Sequence, residues 1–293
     1  MDSNNIYAIV VTYNGSKWID KCFGSLVNSS VPSKILAIDN GSVDSTPDLI
    51  RQKFPIIEVI ETGQNLGFGQ ANNIGLKRVI DENADYAFLL NQDAWIEKDT
   101  IQKLIEIHHR NSKFGILSPV PMDGGERSFD YLYSKYYING IHKDIEYDDQ
   151  TFEIDFINAA GWLISLETIK TIGGFHPKFN LHGEDVNYID RIRYVKTLKI
   201  GITFSTKYYH DRQEREKDEN TSLKRYYALK SKIKASIYNP NLSICKTFSS
   251  TIQNQIIELF VNKSQRLIHL KVIFYSFKIF LQALKNRQVY FKL

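Results

Sequence analysis

The sequence predicts an α/β protein: a doubly wound, mostly parallel, Rossmann-like sheet followed by a basic helical appendage. Three observations carry this. Short apolar runs bounded by polar residues alternate with helix-period segments through the first 120 or so residues. The polar residues that follow those runs fall where open α/β sheets bind ligands, at the C-terminal ends of strands. The last 70 residues lose the strand rhythm and most of their acidic residues.

In chain order, Ile6 to Thr12 reads as a buried strand and Ser16 to Val27 as a helix. Lys34 to Asp39 is a second strand, and Asp44-Ser45-Thr46-Pro47 opens a helix with capping residues and an early proline. Ile56 to Glu61 is a third strand. A helix from Gly67-Phe68-Gly69 to Ile80 leads to a strand at Tyr86–Leu90. Asp99 caps a helix to about His109, and Phe114 to Val120 is a fifth strand. Residues 121–150, rich in Tyr, Asp and Gly, read as an excursion over the sheet. A strand at Phe152–Ile157 follows, then a short helix from Ser165 to Gly173-Gly174, a helix at Glu184–Val195 and a strand at Lys199–Phe204. A charged linker, Arg212 to Asn220, precedes helices interrupted at Asn239-Pro240. The expected division is a catalytic domain over 1–221 and a helical region over 222–293. Within the first, 1–120 forms a donor half and 121–221 an acceptor half.

The 293 residues suffice for one large domain with an appendage, and the apolar and charged fractions are those of a soluble globular chain. Cys22 and Cys245 are too few and too far apart for a disulfide framework or a cysteine metal cluster, which suits a reducing cytoplasm. Met1 to Asn5 leads directly into a strand, so no secretory leader is expected, and no charge-free apolar run reaches bilayer-spanning length. The net charge of +4 conceals a split. Residues 224–293 hold 13 Lys and Arg against one acid, Glu258, leaving 24 basic and 32 acidic residues in 1–223. A tail of this kind suits an anionic surface. No nucleic-acid recognition motif accompanies it.

The strand Tyr86–Leu90 runs into Asn91-Gln92-Asp93, where a carboxylate can hold a divalent cation and the cation a diphosphate. Val11-Thr12-Tyr13-Asn14 and Asp39-Asn40-Gly41-Ser42 leave the first two strands at the same edge. Asp39 suits a pyrimidine N3–H or a ribose hydroxyl, and equally an Asx-turn before Gly41. Asn65-Leu66-Gly67-Phe68-Gly69-Gln70-Ala71-Asn72-Asn73 puts glycines and amides at a helix N-terminus, suited to sugar or phosphate. It matches neither a dinucleotide fingerprint nor a P-loop. Glu184-Asp185 opens a helix after a glycine. A carboxylate there serves equally as a helix-start acid or as a general base. Trp162 faces either an acceptor sugar or the core, and Tyr131, Tyr133, Tyr136 and Tyr137 favour packing over stacking on an acceptor.

Taken together in order, Val10–Asn14, Asp39–Ser42, Asn65–Asn73, Asn91–Asp93 and Gly173-Gly174-Phe175 with Gly183-Glu184-Asp185 resemble the inverting family 2 glycosyltransferases. The bacterial rhamnosyltransferase branch is the most similar, over residues 6–212. The resemblance implies a GT-A fold, a nucleotide-diphosphate sugar donor and Mg²⁺ or Mn²⁺. It implies donor contacts from Thr12, Tyr13, Asn14, Asp39, Asn65, Gly67, Ala71, Asn72, Asn91 and Gln92. Asp93 is similar to the last member of the family's Asp-x-Asp metal motif, with Asn91 in first place, and His210 to its late histidine. Asp185 is similar to the catalytic base, with Glu184 in support. Phe175-His176-Pro177 departs from the family's Phe-Asp after Gly-Gly.

The expected activity is transfer of rhamnose from dTDP-rhamnose to a glycan or lipid-linked saccharide, at the inner face of the cell membrane, in cell-surface polysaccharide synthesis. The alternatives are a UDP-sugar donor (galactofuranose or an N-acetylhexosamine) and a nucleotide-sugar-binding protein without turnover. A homo-oligomer is compatible with the sequence. Lys271, Lys278, Lys285 and Lys292 recur every seven residues, while Leu270, Ile273, Phe274, Phe277, Phe280, Leu281 and Leu284 occupy mainly the other side. This is the pattern of a helix lying in a membrane interface over residues 264–293.

Overall fold

The computed structural model of the chain describes residues 5–134, 141–148, 150–180, 182–212, 221–287, 290 and 293. Its first half alternates strictly: β1 (Ile6–Thr12), α1 (Ile19–Val27), β2 (Lys34–Asp39), α2 (Thr46–Lys53), β3 (Glu58–Glu61), α3 (Phe68–Asp81) and β4 (Tyr86–Asn91). A 3-10 turn at Ser16–Trp18 precedes α1, so the first helix starts later than its sequence suggests. Then come β5 (Ala94–Ile96), α4 (Thr100–Arg110), β6 (Phe114–Asp123), β7 (Ile141–Asp148), β8 (Thr151–Ile154), β9 (Gly161–Ser165), α5 (Leu166–Ile172), α6 (Glu184–Val195) and β10 (Lys199–His210). Helices α7 (Thr221–Tyr238), α8 (Ile244–Val261) and α9 (Arg266–Asn286) close the chain, with the break at Asn239-Pro240 as expected.

The described strands form one sheet in the order β3-β2-β1-β4-β9-β6-β10-β8-β7, with β5 paired to β10. β1 lies parallel between β2 and β4, and β2 runs parallel to β3. Alternate residues of β1 face opposite layers. Ile6, Ala8 and Val10 join the core under α1 and α4, while Tyr7 and Ile9 join the core under α3, α5 and α6. Phe88 and Leu89 at the centre of β4 are fully buried on opposite faces, each worth about 2 kcal/mol.

The second half departs from simple alternation. β9 enters antiparallel between β4 and β6, although its five residues carry no period and the sequence reading assigns them no element. β10 continues past Phe204 to His210 because a register shift between Thr203 and Lys207 absorbs the polar Ser205-Thr206 step. Its extension pairs antiparallel with β5, setting His210 opposite Ala94. The strand expected at Phe152–Ile157 is shorter, Thr151–Ile154.

The appendage is packed onto the body. Phe179 and Val186 join Ile233, Ile237, Tyr238, Val272, Ile279 and Ala283 in a third apolar cluster. Arg191 of α6 is fully buried and donates from its two terminal nitrogens to the carbonyls of Ile172 and Gly174, 2.9 and 2.6 Å away. That pins the Gly173-Gly174 turn to α6 and fixes where the chain enters the next loop.

Candidate active site

The C-terminal ends of β1, β2 and β4 and the N-termini of α3 and α6 converge on one edge of the sheet. At the end of β1, Thr12 Oγ1 donates to Asp39 Oδ1 at 3.0 Å in a buried contact. Ser42 closes an Asx-turn on the same carboxylate, its N donating to Oδ2 at 2.9 Å and its Oγ to Oδ1 at 2.6 Å. Asp39 is thus the turn-forming carboxylate of the Asx-turn reading, at the C-terminal edge of the sheet. Asn14 adopts a left-handed conformation, with its N donating to Ser42 Oγ and its Oδ1 accepting from Val43 N. Gln92 bridges the backbone of Tyr13 in both directions, at 2.8 and 3.0 Å. The ends of β1 and β4 are thus locked together, and the ring of Tyr13 is left 43% exposed.

Asn65 Oδ1 accepts from Asn40 Nδ2 and from Gly67 N, shaping the turn into α3. Gly67 has φ of 84°, and a Cβ there would lie 2.2 Å from the Asn180 carbonyl. Only glycine permits that approach of the turn before α3 to the loop before α6. Two of the residues expected at the donor are buried here. Ala71 is buried in the core, and Asn72 is buried with its Nδ2 donating to Phe68 O, so both support the wall. Asn73 grips Phe175 instead, at 2.9 and 2.7 Å.

At the end of β4, Asp93 lies beside His210, with His210 Nε2 3.1 Å from Asp93 Oδ1 and both side chains nearly inaccessible. The backbone fixes the pair, since Asp211 N donates to Asp93 O at 2.8 Å. Asp130, unremarked in the sequence, lies 4.0 Å from His210 Nδ1 and accepts from Arg212 Nε at 2.6 Å. His210 Nδ1 and Asn91 Oδ1 are buried without a hydrogen-bond partner. A carboxylate, an imidazole and an amide oxygen suit a hard or borderline cation such as Mg²⁺ or Mn²⁺. Among the described residues no group of three or more His, Cys, Asp or Glu could hold a metal ion, so further ligands would be phosphate oxygens and water.

Glu184 and Asp185 start α6 behind Gly183, whose φ is 91°. Their environments differ. Glu184 is 8% exposed, and its Oε2 is buried without a hydrogen-bond partner. Burial, then the neighbouring Asp185 charge, raises its pKa from 4.5 to about 7. Asp185 is half-buried, and burial raises it as well. Its Oδ2 faces Asn158 Nδ2 at 3.5 Å, and the same short loop puts Ala160 O in contact with Asn91 N at 3.1 Å. The 158–160 loop thus connects α6 to the strand end that carries Asp93. Its Asn-Ala-Ala-Gly composition was the available signal, small residues where backbones meet.

The Glu184 shift has a testable sign. The unfolded chain releases this proton near 4.5 and the folded chain near 7. Between those values the native state binds more protons, so stability falls as pH rises and levels off above 7. Glu184→Gln removes the cost of the buried charge, roughly 3 kcal/mol, and should raise Tm by roughly 5 °C at about pH 8. The gain should fade as pH falls to 4.5, as thermal melts at both pH values would show. A variant that melts below the wild type at the higher pH would mean that a paired, ionised Glu184 stabilises the fold.

Other residues fall outside the cleft. Trp162 is fully buried and stacks on Phe175, which settles it as core. Tyr133 is buried against Phe129 and Tyr131 is exposed, while Tyr136 and Tyr137 lie outside the described residues. His176, at the family departure, is buried edge-to-face against Tyr238 of α7 and against Phe179, and burial holds its pKa down near 3. It buttresses the loop before α6 on the appendage.

The glycosyl transferase family 2 model matches residues 7–173. An N-acetylglucosaminyl-diphospho-decaprenol L-rhamnosyltransferase of Mycobacterium tuberculosis is 22% identical over 242 residues, covering 73% of this chain and 79% of that protein. The dTDP-rhamnosyl transferase RfbF of Shigella flexneri is 24% identical over 204 residues, covering 68% and 65%. Among solved structures, the mannosyltransferase PcManGT of Pyrobaculum calidifontis, in complex with GDP-Man and Mn²⁺, superposes with a TM-score of 0.58 at 13% identity. That match covers 96% of this chain and 75% of the other. S. aureus TarS 1-349 with UDP-GlcNAc gives 0.58 at 18%, covering 88% and 72%. The fold is GT-A, and the chain belongs to glycosyl transferase family 2.

Proposed function

We propose that this glycosyltransferase moves rhamnose, with inversion, from dTDP-rhamnose to a hydroxyl of a glycan or lipid-linked saccharide. The work belongs to cell-surface polysaccharide synthesis at the cytoplasmic face of the membrane. The observation that carries the reading is the linkage of Asp185, through Asn158 and Ala160, to the Asn91–Asp93 strand end. It joins a desolvated carboxylate to a diphosphate-binding edge. The two rhamnosyltransferase relatives support the sugar.

Thr12, Tyr13, Asn14, Asp39, Asn65, Gly67, Asn91 and Gln92 line the donor side. Asp39 Oδ2 accepts a hydrogen bond from Ser42 N and retains acceptor capacity for a pyrimidine N3–H. Asp93 and His210, with Asn91 Oδ1, would hold Mg²⁺ or Mn²⁺. When bound, the cation supplies positive charge for the departing diphosphate. Asp185 accepts the proton of the acceptor hydroxyl as that oxygen bonds to the anomeric carbon. The bond from that carbon to the diphosphate breaks on the opposite face, dTDP leaves, and Asp185 returns its proton to solvent. Glu184, neutral or shared in charge with its neighbour near pH 7, keeps a second full negative charge away from the base.

A donor panel tests the sugar. With a saccharide-diphosphate carried on a short prenyl chain as acceptor, dTDP-rhamnose should be consumed faster than UDP-galactofuranose, UDP-N-acetylglucosamine or GDP-mannose. Without acceptor only slow hydrolysis should occur. Faster use of a UDP-sugar would reassign the donor.

A further inference from the structure

The appendage presents an apolar surface that the fold leaves uncovered. The inner face of α9 is spent: His269, Val272, Ser276, Ile279 and Ala283 are buried. His269 Nδ1 lies 2.8 Å from Gln255 Oε1 of α8, and Phe280 stacks on Phe248 at 4.1 Å. The outer face repeats the same spacing with larger side chains. Leu267, Leu270, Phe274, Phe277, Leu281 and Leu284 are all exposed, Phe274 at 76%. Ile256, Ile257, Phe260 and Val261 extend it at the end of α8 that enters the turn. Exposed apolar side chains on this scale mark a binding surface.

The lysines sit differently from the sequence expectation. Lys271, Lys278 and Lys285 are exposed on the same outward side as the Leu and Phe row, along one flank of it. Lys292 lies outside the described residues.

We propose that this face of α8 and α9 docks flat on an anionic lipid bilayer, with the apolar row in the acyl boundary and the lysine flank at the phosphates. Charge selects this occupant. Residues 224–293 carry 13 basic residues and one acidic. Two-fold antiparallel pairing with a second copy would set the lysine flanks against each other. By length and composition α9 is apolar enough to cross a membrane, but crossing would dismantle its buried face and strand the His269–Gln255 pair in lipid.

The appendage is tied to the site through α7. Lys234 of α7 donates to Lys178 O at 2.9 Å, and Tyr238 packs on His176 and Phe179 in the loop that leads to Asp185. Under the proposed function, which this consequence alone requires, the acceptor is therefore a lipid-borne saccharide reached from the bilayer surface.

Flotation of the full chain with vesicles tests the docking without measuring transfer. The wild type should float with vesicles of three parts phosphatidylcholine to one part phosphatidylglycerol at low salt, and release as salt rises. It should bind pure phosphatidylcholine weakly. Lys271→Glu, Lys278→Glu and Lys285→Glu together should weaken partitioning on the order of a hundredfold. Phe274→Asp with Leu281→Asp, both outward-facing, should abolish it while leaving the melting curve and a soluble-acceptor assay intact. A wild type that stays with the buffer would overturn the proposal. So would a dimer in solution that Phe274→Asp with Leu281→Asp separates without any lipid binding. Protection of α9 from protease and resistance to alkaline extraction would replace docking by spanning.

Discussion

Asp93→Ala should lower sugar transfer by about 10³-fold, the scale expected when a charge-stabilising group is lost at a leaving diphosphate. The substitution removes the carboxylate facing His210 Nε2 at 3.1 Å, just past the end of the buried strand β4. β4 and the β5–β10 pairing do not depend on that side chain, so the variant should keep a cooperative melt. Chelation of the wild type should match the mutation, and added Mn²⁺ or Mg²⁺ should restore only the wild type. Full wild-type activity in excess chelator would remove the cation from the account, and with it the role given to Asn91 and His210.

Asp185→Asn should lower kcat by about 10² or more while the KM for donor stays nearly constant. The variant keeps the shape and the contact with Asn158 but cannot accept a proton. Glu184→Gln should cost far less, because Glu184 Oε2 is buried without a hydrogen-bond partner, whereas Asp185 faces the 158–160 loop. If Glu184→Gln is inactive while Asp185→Asn turns over, the two roles are reversed.

The donor half was legible because its signals are local. Fully buried parallel strands are continuous apolar runs, and each ends in polar residues that the topology gathers at one edge. Asp93 with His210 was legible only through the resemblance, since 117 residues separate them and only the β5–β10 pairing brings them together. β5 and β9 were missed because three- and five-residue strands carry too little period to separate from loop. Asn158, Asp130 and Arg191 were missed for another reason. Each acts through a long-range contact that a lone polar residue in a sequence does not announce. Ala71 and Asn72 are expected as donor contacts through a motif at a helix start. The helix turns both inward. On α9 the seven-residue repeat was plain, but which apolar residues face inward depended on where α7 and α8 lie.

The most direct test of the central claim is an NMR time course of dTDP-rhamnose with enzyme, Mg²⁺ and a saccharide-diphosphate-prenyl acceptor, following the anomeric proton. The account predicts stoichiometric release of dTDP and a new glycosidic bond with the anomeric configuration opposite to that of the donor. Asp185→Asn should eliminate both signals. A product that retains the donor configuration, or a donor that binds and is never consumed with any hydroxyl acceptor, would contradict it.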